Sequence, residues 1–87
     1  MSFNNINVET WESVEDFDSH RTLVTELSGH NFRCELQIRD DFIWGELYDI
    51  TAGEVVAEND SIVGSEQWDT EKINEWVQNA LKSYFEN

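Results

Sequence analysis

The chain contains no proline, a single cysteine, four glycines and only five basic side chains in 87 residues. Without proline there is no stiff linker or Pro-rich spacer, and the length supports one domain over residues 1–87 with a modest core. One thiol, Cys34, excludes an internal disulfide, which leaves packing alone to stabilise the fold and suits a reducing compartment. No apolar run approaches the ~18 residues of a membrane span. The start, Met1-Ser2-Phe3-Asn4-Asn5, has neither the basic nor the apolar region of a secretion signal, so a cytoplasmic location is expected. The few glycines form no phosphate-cradling loop and no nucleophile elbow.

The scarcity of cations matters most. Nineteen Asp and Glu face five Lys and Arg, a formal net charge of -14. Such a field opposes direct contact with nucleic acid or an anionic membrane, because that binding is driven by Lys and Arg displacing counterions from phosphates. Self-repulsion also works against compaction, so the excess has no structural benefit beyond solubility. Against it stands 39% hydrophobic residues with four Trp, enough apolar side chain to bury a core.

Periodicity predicts an α+β fold. Ile73, Trp76, Val77, Ala80, Leu81 and Tyr84 recur at the spacing of an amphipathic helix, with Asp69 or Thr70 as cap, Glu71 at the positive end and Lys82 toward the other. Phe32, Cys34, Leu36 and Ile38 alternate with Arg33, Glu35, Gln37 and Arg39, the pattern of a half-buried strand. Turns at Asp40-Asp41 and at Thr51-Ala52-Gly53 lead into strands over 42–50 and 54–58. In the middle strand Ile43, Gly45 and Leu47 share one face and Trp44, Glu46 and Tyr48 the other; an apolar Ile50 on the second face implies a bulge. Arg21–Leu27 reads either as a further strand joined through Ser28-Gly29-His30-Asn31, which Thr-Leu-Val-Thr favours, or as a helix from Val14 closed by Gly29. Thr10 is placed to cap a short helical turn carrying Trp11, Val14 and Phe17. The expected architecture is a three- or four-stranded antiparallel meander packed against one long C-terminal helix, with a short N-terminal helical segment.

Few residues invite catalysis. Cys34 is in phase with the apolar side of its strand, where a thiol is inert. Asp16, Asp18 and His20 make the one candidate metal cluster, but a calcium loop needs Gly where Arg21 stands and an acid where Leu27 stands. With this many carboxylates, a pair at acid–base spacing has no diagnostic value. The reading is a non-enzyme without cofactor.

The acids instead suggest a basic partner. A monomer of this mass exposes about 5,300 Å², roughly 380 Å² per net charge if spread evenly, whereas DNA carries one charge per about 110 Å² of its cylinder. Imitation of a polynucleotide therefore requires most of the charge on one half of the body. Glu9, Glu12, Glu15, Asp16 and Asp18 run unopposed near the N-terminus, and Asp40, Asp41, Glu46, Asp49, Glu54, Glu58 and Asp60 along the second and third predicted strands. Trp44 and Tyr48 flank Glu46 and supply rigid interface anchors ringed by acids. The candidate partner-binding residues are Asp40, Asp41, Trp44, Glu46, Tyr48, Asp49, Glu54, Glu58 and Asp60. The competing reading packs Trp44 and Tyr48 under the N-terminal segment and leaves the acids as a solvated face.

Low mass, no Pro, the acid excess and a meander over 32–58 followed by Asp69-Thr70-Glu71-Lys72-Ile73-Asn74-Glu75-Trp76-Val77 resemble the small inhibitors that phages use against bacterial defences. These include anti-CRISPR proteins and DNA mimics aimed at restriction enzymes or DNA-repair glycosylases; the element order is similar to that of a sheet-and-helix anti-CRISPR that coats a type I surveillance complex. The likeness spans over half the chain as a pattern of element order and polarity. It implies stoichiometric blockade, inside a bacterial host cell, of a basic nucleic-acid-binding protein such as a CRISPR effector, a restriction enzyme or a nuclease. An immunity or antitoxin protein masking a nuclease toxin, or a small metal-binding or enzymatic domain, are the alternatives. The oligomeric state stays open.

Overall fold

A computed structural model describes residues 5–39, 42–63 and 70–86, with residues 60, 61 and 63 described by their backbone alone. The elements are a 3-10 turn at Val8–Thr10, strands β1 (Glu12–Asp16), β2 (His20–Leu27), β3 (His30–Arg39), β4 (Phe42–Asp49) and β5 (Glu54–Val63), and helix α1 (Thr70–Glu86). The strands form one antiparallel sheet in the order β1-β2-β3-β4-β5. The α+β class stands as expected, with five strands in place of three or four.

Local chemistry explains each join. Ser28 and Gly29 connect β2 to β3 with φ of 54° and 79°, the double positive φ of a type I′ hairpin turn, so His30 and Asn31 belong to the strand. Arg21–Leu27 is accordingly a strand. Gly53, at φ 70°, closes the β4–β5 turn and donates its N–H to the Asp49 carbonyl at 2.8 Å. The expected turn at Asp40 and Asp41 lies outside the described residues.

Three expectations change. Asn7, not Thr10, caps the N-terminal turn, accepting from the Glu9 N–H at 3.0 Å. Val14 and Phe17 are not carried inward by a helix: the chain enters β1, whose register slips between Ser13 and Glu15, and both side chains are exposed. No bulge accompanies Ile50, which continues the Trp44 side just past the end of β4 and is exposed; the register shifts of the β4–β5 pair lie between Ile43 and Gly45 and between Leu47 and Tyr48.

The helix covers one face only. Leu23, Phe32, Cys34, Leu36, Ile43, Leu47 and Ile62 from the sheet meet Ile73, Val77 and Leu81 from α1, with Val8 and Trp11 completing the core. Full burial of each larger aliphatic side chain contributes about 1.5–3 kcal/mol. Gly45 admits the Trp76 ring, since a Cβ there would stand 2.8 Å from Cζ3. Residues before β1 dock on the same side: the Ile6 and Val8 amides donate to Gln78 Oε1 and Asn74 Oδ1 at 3.2 and 2.8 Å. The opposite face of the sheet carries no element among the described residues.

Candidate partner-binding face

Strand alternation and antiparallel register place the side chains of the uncovered face in rows across the strands. Glu15, Thr22, Glu35, Glu46 and Glu58 stand opposite one another in succession from β1 to β5. The next row holds Glu12, Val24, Arg33, Tyr48 and Val55. On the other side of the first row, His20, Gln37 and Trp44 are aligned. Neighbouring strands lie about 4.8 Å apart, so Glu35, Glu46 and Glu58 form a tight line of carboxylates. Like charges directly opposite across strands destabilise a sheet.

Arginine relieves part of this. Arg33 Nε is 3.3 Å from Glu35 Oε1, at an angle that makes no hydrogen bond, and Arg33 Nη2 is 4.0 Å from Glu46. The Arg33 guanidinium lies 4.8 Å over the Tyr48 ring, and Arg39, tied to Gln37 Oε1 at 3.0 and 3.2 Å, lies 5.1 Å over Trp44. Glu58 is exposed and has no ion-pair partner among the described residues. Trp44 and Tyr48 are half-buried beneath these guanidiniums and not under the described residues before β1, of which Ile6 and Val8 dock on the helix side.

The nine sequence-predicted residues divide into three groups. Trp44, Glu46, Tyr48 and Glu58 share the bare face. Asp40 and Asp41 lie outside the described residues, as does the side chain of Asp60. Asp49 and Glu54 belong elsewhere. Asp49 is on the core side with 0% exposure, in phase with Ile43, Gly45 and Leu47. Its Oδ2 accepts from the Tyr84 hydroxyl at 2.7 Å and contacts His30 Nδ1 at 2.8 Å, while Oδ1 accepts from the Ala52 amide at 3.0 Å. Desolvation pushes its carboxyl up, but the Ala52 amide, the Tyr84 hydroxyl and His30 outweigh it and hold the group below its ordinary value. The Tyr84 hydroxyl also lies 2.7 Å from Glu54 Oε1, and contact with the two carboxylates drives its pKa up. These contacts tie the end of α1 to the β4–β5 turn; Asp49 is sealed from solvent, whereas Glu54 stays exposed beside that turn, away from the bare face.

Sequence reasoning missed Glu35, although its alternation with Cys34 and Leu36 already put it outward. It named Glu15 among the N-terminal acids without placing it on this face, since β1 offers no alternation: all five of its residues are exposed.

Charge outside the bare face is considerable. Arg21 makes a two-pronged contact to Glu9 at 3.0 and 3.3 Å and approaches Asp16 at 3.6 Å; hydrogen bonding from Arg21 holds the Glu9 carboxyl below its usual range. Glu71 and Glu75 project from α1. The surface of 5227 Å² thus carries acids on both sides, and the described residues do not show the one-sided gathering that whole-body imitation of DNA requires. The dense feature is local: the line of glutamates on the bare face.

Cys34 is fully buried and desolvation pushes its thiol up to about 12. Among the described residues no three His, Cys, Asp or Glu side chains are grouped to hold a metal, and Asp16, Asp18 and His20 border a turn closed by Phe17 N–H to the His20 carbonyl at 2.8 Å. No helix among them is long and apolar enough to cross a membrane. Comparison with family models, curated proteins and solved structures finds no match to the chain.

Proposed function

We propose that this protein is a non-catalytic binding module that applies the bare face of its sheet to a basic protein surface, one that otherwise holds a nucleic acid. Blockade of a bacterial defence complex, in the manner of the acidic phage inhibitors, is the specific form we infer. The observation that carries the reading is the line Glu35, Glu46, Glu58, opposed across adjacent strands at a cost to the fold and left uncovered between Trp44 and Tyr48. Lys and Arg of a phosphate-binding groove supply the missing counter-charge and steer the encounter. Arg33 and Arg39 do not cancel the face: two guanidiniums, standing over the Tyr48 and Trp44 rings, are set against three glutamates in the line.

The test is competition. Purified CRISPR effectors, restriction enzymes and nucleases, each loaded with labelled DNA, are titrated with this protein at low and high salt. Stoichiometric release of DNA that weakens with salt is expected. The triple variant Glu35→Gln, Glu46→Gln, Glu58→Gln should compete at least about tenfold less well. Undiminished competition by that variant sinks the assignment of this face. Release confined to a nuclease toxin would instead mark an immunity protein.

A further inference from the structure

We infer that the bare face ends in a groove built to take one long cationic side chain, Lys or Arg, from the basic partner; this rests on the function proposed above and gives the face an anchoring point. The groove has a volume of about 410 Å³ and is lined by Glu12, Val24, Thr25, Glu26, Asn31 and Ile50. Its origin is a mismatch in strand length. The β1 pairing begins at Glu12 opposite Val24, so β2 continues over Thr25, Glu26 and Leu27 beyond its neighbour on that side. On the other side β4 ends at Asp49, and Ile50 is held beside β3 by its N–H to the Asn31 carbonyl at 2.8 Å.

The lining is of two kinds. Val24 and Ile50 provide an apolar floor, and Ile50 is 46% exposed, which leaves a large aliphatic side chain in water with nothing upon it. Glu12 and Glu26 stand exposed at the rim, and neither forms an ion pair among the described residues, unlike Glu9, Glu35 and Glu46. A Lys or Arg side chain matches both: its methylenes cover the floor while its charged tip reaches the rim. A purely apolar side chain would desolvate two carboxylates without replacing their hydrogen bonds. An anionic ligand meets repulsion, and a second copy of this chain brings another net charge of -14.

Short capped peptides of Gly with one central Lys, Arg or norleucine serve as probes in an NMR titration of the labelled protein. The Lys and Arg peptides are expected to shift the amides of Val24, Asn31 and Ile50 in a saturable way, and the norleucine peptide to leave them in place. The surface variant Glu12→Gln, Glu26→Gln should bind the cationic peptides about tenfold more weakly and lose a comparable factor in the DNA competition. Shifts confined to the Glu35, Glu46 and Glu58 row, equal binding of norleucine, or wild-type affinity in the double variant would each overturn the groove while leaving the face assignment intact. If neither this variant nor the triple Gln variant alters competition, the proposed function fails as well.

Discussion

Glu46 and Asp49 sit three residues apart on β4, and the sheet sends them to opposite sides. Glu46 stands half-buried on the bare face, between two other glutamates and beside an arginine that meets it only at 4.0 Å. Asp49 is sealed in the core, where an amide, a hydroxyl and an imidazole surround it. The same functional group is loosely paired in one place and fully satisfied in the other. A carboxylate whose hydrogen bonds are complete holds the protein together, and one left with a deficit is free to act on something else.

Changes at the buried site should dominate. Asp49→Ala takes the acceptor from the Ala52 amide and from His30 and leaves the Tyr84 hydroxyl with Glu54 alone, and is expected to remove about 3 kcal/mol of stability, read as a lower urea midpoint at unchanged slope. A loss below about 1 kcal/mol would erase the contrast with Glu46. Next comes Gly45→Ala, whose methyl would press on the Trp76 ring at 2.8 and 3.0 Å. Strain of about 1–3 kcal/mol should exceed the roughly 0.5–1 kcal/mol gained by removing a strand glycine, with a shift in tryptophan emission. Tyr84→Phe removes one donor and should cost about 1–2 kcal/mol in the same melt.

Acid sharpens the comparison further. The Asp49 carboxyl lies below its ordinary value in the fold and near 3.9 in the unfolded chain, so the unfolded state takes up the proton first. Its contribution is present above about pH 4 and disappears as pH falls toward the lower folded value. Wild-type stability should therefore fall more steeply than that of Asp49→Asn below about pH 4, and parallel curves would contradict the account. The smallest effect is expected on the bare face: Glu35→Gln, Glu46→Gln, Glu58→Gln should move stability by no more than about 0.5 kcal/mol, toward greater stability as like charges are removed, while DNA competition collapses.

Much of this architecture was legible in the residues. Strict alternation from Phe32 to Ile38 and the helical spacing from Ile73 to Tyr84 named the core-facing side chains, because burial on one face leaves a period in the chain. The same parity separated Trp44, Glu46 and Tyr48 from Ile43 and Leu47. It also placed Asp49 with the buried set, a signal masked by the expectation that a charged residue is exposed; only its donors, one of them 35 residues away on α1, make it otherwise. Strand β1 was not legible at all. An edge strand exposed on both sides has no apolar period to display, and the register shift at Val14 removes what alternation remained. Charge distribution lay beyond the sequence too, since which acids become neighbours depends on pairing between strands.

The amides of Ile6 and Val8 hang from side chains of α1, across 72 and 66 residues of chain. Thr70 reaches back to Glu9 at 3.1 Å in the same region. The first turn and the last helix are thereby buttoned to each other as well as to the sheet, so neither can peel away alone. Hydrogen exchange should accordingly register them opening as one cooperative unit, at a free energy distinct from that of the hairpins. A partner gripping the far side of the sheet would leave that fastening untouched.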